Sequence, residues 1–166
     1  MIFNKTKIAD MYLIGPEIFK DKRGYFRRNF CEKKIKEKNI SFRIKQCNVS
    51  ENFKKGTLRG FHFQKKSKND SKIITCISGK IHNVTIDLRK NSKTYLSVKK
   101  FLFNKDIYIA EINGKIGHGM LSLKDNTLLM CSTNIKYNPK NEKVFNWKKI
   151  KFNWPFKNLI LSKKDT

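Results

Sequence analysis

In TLRGFHFQ, residues 57–64, an arginine, a glycine and a histidine stand within four positions. Read as a strand, the segment turns Phe61 and Phe63 to one face and His62 and Gln64 to the other. One face is aromatic and the other presents an imidazole, the side chain best matched to proton transfer near neutral pH. Strict alternation would leave Arg59 on the aromatic face, opposite His62. A bulge at Gly60 relaxes the pleat and lets both point to one cavity. Taken alone, a strand histidine is more often structural than a base. His118, in NGKIGHGML (residues 113–121), is flanked by Gly117 and Gly119. Glycines within a strand mark close approach of backbone or ligand, so His118 is open to either role. His82 has no neighbouring signal and receives no assignment. The terminal LSKKD, residues 161–165, carries Asp165, the only acid after Glu142. On its own terms it reads as a solvated chain end.

The elements that must position these groups are short strands. Candidates are 42–53, 57–64, 72–78, 80–88, 96–103, 107–112, 116–123 and 127–133. They are punctuated by turn residues such as Ser78-Gly79, Asn104-Lys105-Asp106 and Asn113-Gly114. Such regular spacing predicts an all-β sandwich or barrel. ISGKIHNVTIDL is the clearest hairpin, with Ser-Gly as its turn. Only residues 31–40, CEKKIKEKNI, read as a helix. The tail, with Trp147, Trp154, Pro155 and Phe156, is expected to pack across the barrel.

A chain of 166 residues is one domain, 1–166, and 39% hydrophobic residues with 13 Phe give it a globular composition. No apolar run reaches the roughly 18–20 residues of a membrane span, and the start lacks a secretory h-region. The formal charge is +25, from 38 basic and 13 acidic residues. Only six of the basic residues are arginine, the side chain that phosphate and base readers favour. A lysine excess spread over the whole chain reads as a biased, solvated surface and not as a nucleic-acid footprint. Cys31, Cys47, Cys76 and Cys131 form no C-x-x-C pair, so reduced thiols in a cytoplasmic protein are expected and a zinc site is not.

Taken together, several segments resemble one family. DKRGYF (21–26), KQCNVS (45–50), RGFHFQ, the hairpin SGKIHNVTIDLRKNSKTY, the Gly-His-Gly segment, Trp154-Pro155 and LSKKD are similar in order and spacing to the nucleotide-sugar 3,5-epimerases. Their best-known member is dTDP-4-dehydrorhamnose 3,5-epimerase. The resemblance covers about residues 2–165. It implies a cupin-type jelly-roll, a homodimer formed by strand exchange, a nucleotide-diphosphate sugar as substrate, and no metal or cofactor. It also implies that His62 is the base and Asp165 the carboxylate that orients it, with Lys72 beside them. Arg59 and His118 fall on binding positions, and Arg23, Phe26, Gln46 and Asn48 match nucleotide- and sugar-contacting positions.

The implied reaction is proton abstraction at C3 and/or C5 of a 4-keto-6-deoxy sugar, next to the C4 ketone. Inversion needs a base on one face, a donor on the other, and cations to hold the enolate charge. Aligned on Ser132-Thr133-Asn134, the family's tyrosine proton donor falls on Met130, and a thioether has no proton to give. The hairpin acid of the family is here Asn83, and the Glu after its R-G-x-F/Y-F is Arg27 or Arg28. Tyr25, Tyr137, Cys131 or water stand as replacement donors, with Tyr137 also counted among the binding residues. The alternatives are a single-centre epimerase or ketoisomerase, a catalytically silent cupin binding protein, and a basic nucleic-acid-binding barrel.

Overall fold

The computed structural model describes residues 1–65, 70–104, 108–111 and 116–165. The expected turn at Asn113-Gly114, and Lys105-Asp106 of the preceding one, lie outside the described residues. Two antiparallel sheets face each other as a jelly-roll. The larger runs in the order β1 (Ile2–Lys5), β2 (Met11–Gly15), β11 (Tyr108–Glu111), β8 (Lys72–Ser78), β13 (Thr127–Thr133), β5 (Gln46–Asn52). The smaller runs β10 (Val98–Phe103), β9 (Ile81–Asp87), β12 (Ile116–Ser122), β6 (Leu58–Arg59). Two further two-stranded pairs complete it: the hairpin of β3 (Ile18–Asp21) with β4 (Gly24–Arg27), and the long-range pair of β7 (His62–Gln64) with β14 (Glu142–Val144).

Between the sheets, Met11, Ile74, Cys76, Ile81, Phe103, Ile116 and Leu129 form the central core. Each large side chain fully buried there contributes roughly 1.5–3 kcal/mol of transfer free energy. β9 is buried nearly throughout, because both of its faces are covered. Ile81 points between the sheets, whereas Val84 and Ile86 meet Phe61 and Ile150 on the outer side. Phe145, Trp147, Phe152 and Trp154 of the tail pack on that outer cluster. The tail therefore crosses the barrel, with the Phe152 and Trp154 rings 4.6 Å apart, edge to face.

The loop after β9 is fixed by Asp87, which accepts hydrogen bonds from the Arg89 guanidinium, Ser92 and Thr94. Burial alone pushes its carboxyl up, but these donors outweigh burial and hold it far below the usual carboxylate range.

Four differences from the sequence reading have physical causes. The expected strand 57–64 is two strands in two different sheets, broken at Gly60. Strand 42–53 begins only at Gln46, since Ile40 and Phe42 are used in a cluster with Ile14, Ile35 and Ile73. The helix is confined to α1 (Glu32–Lys36), with Asn39 in the left-handed region at φ 58°. β1 to β4 are strands of 4 or 5 residues, too short to display a period of two.

Candidate active site

His62 opens β7, immediately after the break at Gly60. Gly60 has φ +134°, and a Cβ there would run into the carbonyl oxygen of His118, so only glycine fits. The break does what a bulge was expected to do: Arg59 and His62 line one cavity. Across from it, a Cβ on Gly119 would run into the Phe61 ring. The glycine beside His118 thus admits a packed aromatic ring.

Both nitrogens of His62 meet a carboxylate. Nε2 is 2.7 Å from Oδ1 of Asp165, and Nδ1 is 3.0 Å from Oε1 of Glu142. Asp165 is brought there by backbone pairing of the tail. Ile160 N–H donates to the Gly56 carbonyl, and Leu58 N–H donates to that of Ile160. A turn then returns Asp165 N–H to the Ser162 carbonyl, and Ser162 Oγ donates to Asp165 Oδ2 at 2.8 Å. The carboxylate is almost fully buried, with 4% of its side chain exposed. The terminal acid is therefore a fixed partner of His62 and not a frayed end.

Glu142 was not singled out from sequence. It sits on β14 next to β7, where Val144 pairs with His62 and Glu142 with Gln64. Its second oxygen accepts from Tyr137 Oη at 2.8 Å and from Lys164 Nζ at 3.2 Å. Burial pushes the Glu142 carboxyl up, but Tyr137, Lys164 and His62 together hold it below its ordinary value. The same contacts raise the Tyr137 phenol and the Lys164 ammonium. The one sequence signal for Glu142 is scarcity, since an acid is uncommon in a chain with 38 basic and 13 acidic residues.

Three adjoining cavities share His62. The first, about 330 Å³, is lined by Gln46, Asn48, Lys72, Thr133, Tyr137 and Glu142 among others. The second, about 640 Å³, runs past Asn48, Arg59, Ser162 and Asp165. The third, about 160 Å³, lies between the sheets with Arg59, Lys72, His118, Met120 and Cys131 around it. Lys72 Nζ is 3.3 Å from the buried Asp70 carboxylate and 3.5 Å from the His62 carbonyl. Arg59 Nε donates to Asn52 Oδ1 at 2.7 Å, which fixes its guanidinium at the cavity wall. Gln46 donates to Asn48 and accepts from the Tyr137 N–H, tying β5 to the Tyr137 loop. His118 is buried, with Nδ1 3.5 Å from the Asn83 amide nitrogen.

The described chain therefore brings together His62, Asp165, Lys72, Arg59, Gln46, Asn48, His118 and Tyr137. It does not bring Arg23, Phe26 or Met130 to them. Arg23 pairs with Asp21 at the tip of the β3–β4 hairpin, and Phe26 there is 65% exposed. Met130 pairs with Val49 and Thr75, whereas Cys131 pairs with Asn48 and Ile74. Side chains alternate along a strand. Met130 thus shares the outer face of the sheet with Val49, and its neighbour Cys131 faces the cavity.

Residues 5–166 match the family model of dTDP-4-dehydrorhamnose 3,5-epimerase. The chain belongs to this family. It is 34% identical over 172 residues to the enzyme of that name from Methanothermobacter thermautotrophicus, covering 98% of this chain and 90% of that one. It is 32% identical over 169 residues to that of Shigella flexneri, covering 97% and 91%. The Bacillus anthracis structure of the family, with TDP and pyrophosphate bound, superimposes with a TM-score of 0.92 at 29% identity, over 99% of this chain and 95% of that one. The Legionella pneumophila structure, in complex with dTDP-4-keto-L-rhamnose, gives 0.90 at 26% identity, over 99% and 89%. The jelly-roll is thus the cupin-type fold of these epimerases.

Proposed function

We propose that this protein epimerises a dTDP-linked 4-keto-6-deoxy sugar at C3 and/or C5, with His62 as the base and Asp165 as the group that orients it. The observation that carries the reading is the pairing of the His62 imidazole with two carboxylates where three cavities meet. A C–H bond next to the C4 ketone is acidified, because the electron pair it leaves is delocalised onto the carbonyl oxygen. An ionised carboxylate can only accept a hydrogen bond. With both acids charged, the geometry therefore needs N–H on both ring nitrogens, which is the product state of proton abstraction. When an arriving sugar displaces Glu142, the Nδ1 proton passes to solvent, and the neutral nitrogen it leaves is the base. Asp165 keeps the proton on Nε2 and fixes the tautomer.

Lys72 and Arg59 supply the positive charge for the enolate oxygen and the diphosphate. Gln46, Asn48, His118 and Tyr137 hold the sugar and nucleotide. The protein works in the cytoplasm as a homodimer, in which the β3–β4 hairpin carries Arg23 and Phe26 to the partner's site. Incubation with dTDP-4-keto-6-deoxyglucose in D2O, followed by NMR, tests the reading. Deuterium at C3 or C5 with inversion is expected, and absence of both refutes it.

A further inference from the structure

We infer that Cys131 is the proton donor on the face of the sugar opposite His62, an assignment that rests on the epimerase reading. Inversion next to a ketone requires two groups on opposite sides of one carbon. The inner cavity of about 160 Å³ has two walls. Arg59, His118 and Met120 stand on β6 and β12 of the smaller sheet, and His62 enters just past β6. Lys72, Ile74 and Cys131 stand on β8 and β13 of the larger sheet. A donor opposite His62 therefore comes from Lys72 or Cys131. The Lys72 ammonium faces the Asp70 carboxylate at 3.3 Å and the His62 carbonyl at 3.5 Å, a cation placed to hold charge. Tyr137 belongs to the outer cavity, and its hydroxyl is given to Glu142. The thiol that remains is turned inward by register: Cys131 pairs with Ile74, and both line the cavity. Met130 faces away on the same strand.

The step balances. His62 takes the proton as the C–H bond breaks and its electron pair passes to the C4 oxygen as an enolate. The Cys131 S–H then protonates the same carbon from the far side, and the electrons return from oxygen to form the new C–H bond. The imidazolium loses one proton to solvent and the thiolate regains one, so the net change is isomerisation.

The test follows deuterium wash-in and inversion separately, with dTDP-4-keto-6-deoxyglucose in D2O, for wild type, Cys131→Ala and Cys131→Ser. Calorimetric binding of dTDP establishes that each variant is folded. Exchange needs the base, its orienting carboxylate and the enolate's cations but not the far-side donor, so both variants should keep it within about threefold, while inversion falls at least ~100-fold, the usual weight of a general acid. Inversion within tenfold of wild type in either folded variant overturns the assignment, as does an equal loss of exchange and inversion. A wild type that exchanges without inverting also removes the donor but leaves the base. A wild type that does neither refutes the epimerase reading itself.

Discussion

Glu142 and Asp165 bind opposite nitrogens of one imidazole, at 3.0 and 2.7 Å. They reach it by different routes, one across a strand pair and the other from the end of the chain. The two acids are not equivalent. Asp165 is enclosed and bonded to Ser162, so it is built to stay. Glu142 also serves Tyr137 and Lys164 at the rim of the open cavity, so it is the partner that a ligand can displace.

His62→Ala should abolish deuterium wash-in while leaving the circular dichroism spectrum unchanged. General acid–base groups contribute about 10²–10⁴-fold. Asp165→Asn keeps the shape but presents an amide, which stabilises the wrong tautomer, and should lose at least ~10-fold within the same range. Wash-in within tenfold of wild type for His62→Ala would remove the base assignment.

The acid side of the rate profile should respond to Tyr137. Burial pushes Glu142 up, and the Tyr137, Lys164 and His62 contacts bring it below the ordinary 4.5. A carboxyl with a depressed value stays charged as pH falls, and its contacts are lost only below the ordinary range. Tyr137→Phe deletes one of the groups that lower it, so Glu142 should protonate at higher pH. The acid limb of kcat/KM, which reports groups of the free enzyme, should then move upward in a pH–rate series. An acid limb that stays in place or moves down contradicts the link between Tyr137 and Glu142.

Gly119→Ala should destabilise the fold through Phe61. A Cβ at this position meets the buried Phe61 ring, which also packs edge to face with Trp154. Overpacking of this kind costs roughly 1–3 kcal/mol. Urea unfolding should show a lower midpoint with an unchanged slope. Because Phe61 adjoins His62, activity should fall by more than the change in folded fraction accounts for.

Much of this architecture was legible in the residues. The strands from 72 to 133 declared themselves because alternating Ile, Val, Thr and Leu runs are bounded by turn residues. The tail declared itself through its tryptophans. What could not be read were short pairings and long-range meetings. β7 and β14 are three residues each and are joined only in space, so nothing local marked Glu142 as a neighbour of His62. Residue counting from Ser132-Thr133-Asn134 put Met130 at the tyrosine's place, and one position changes the face on which a strand residue stands. The motif order placed Asp165 near His62, whereas the local sequence alone said only that the chain ends there.

The last expectation concerns Arg23 and Phe26. Their hairpin leaves Phe19 and Phe26 at 58% and 65% exposure, with ring centroids 6.4 Å apart. Two large rings side by side in water are an uncommon use of apolar surface, and they suit a strand pair that docks on a second copy. If each hairpin completes the partner's site, a defect in the hairpin and a defect at His62 reside in different subunits of one site. Arg23→Ala and His62→Ala should each be inactive alone. After mixing, unfolding and refolding together, random pairing gives hybrids in which one site carries both defects and the other carries neither. About a quarter of wild-type activity should return, the share expected for a two-fold dimer with shared sites. Sedimentation should show a dimer at the assay concentration. A monomer, or a mixture with no more activity than its parents, rules out the exchanged hairpin.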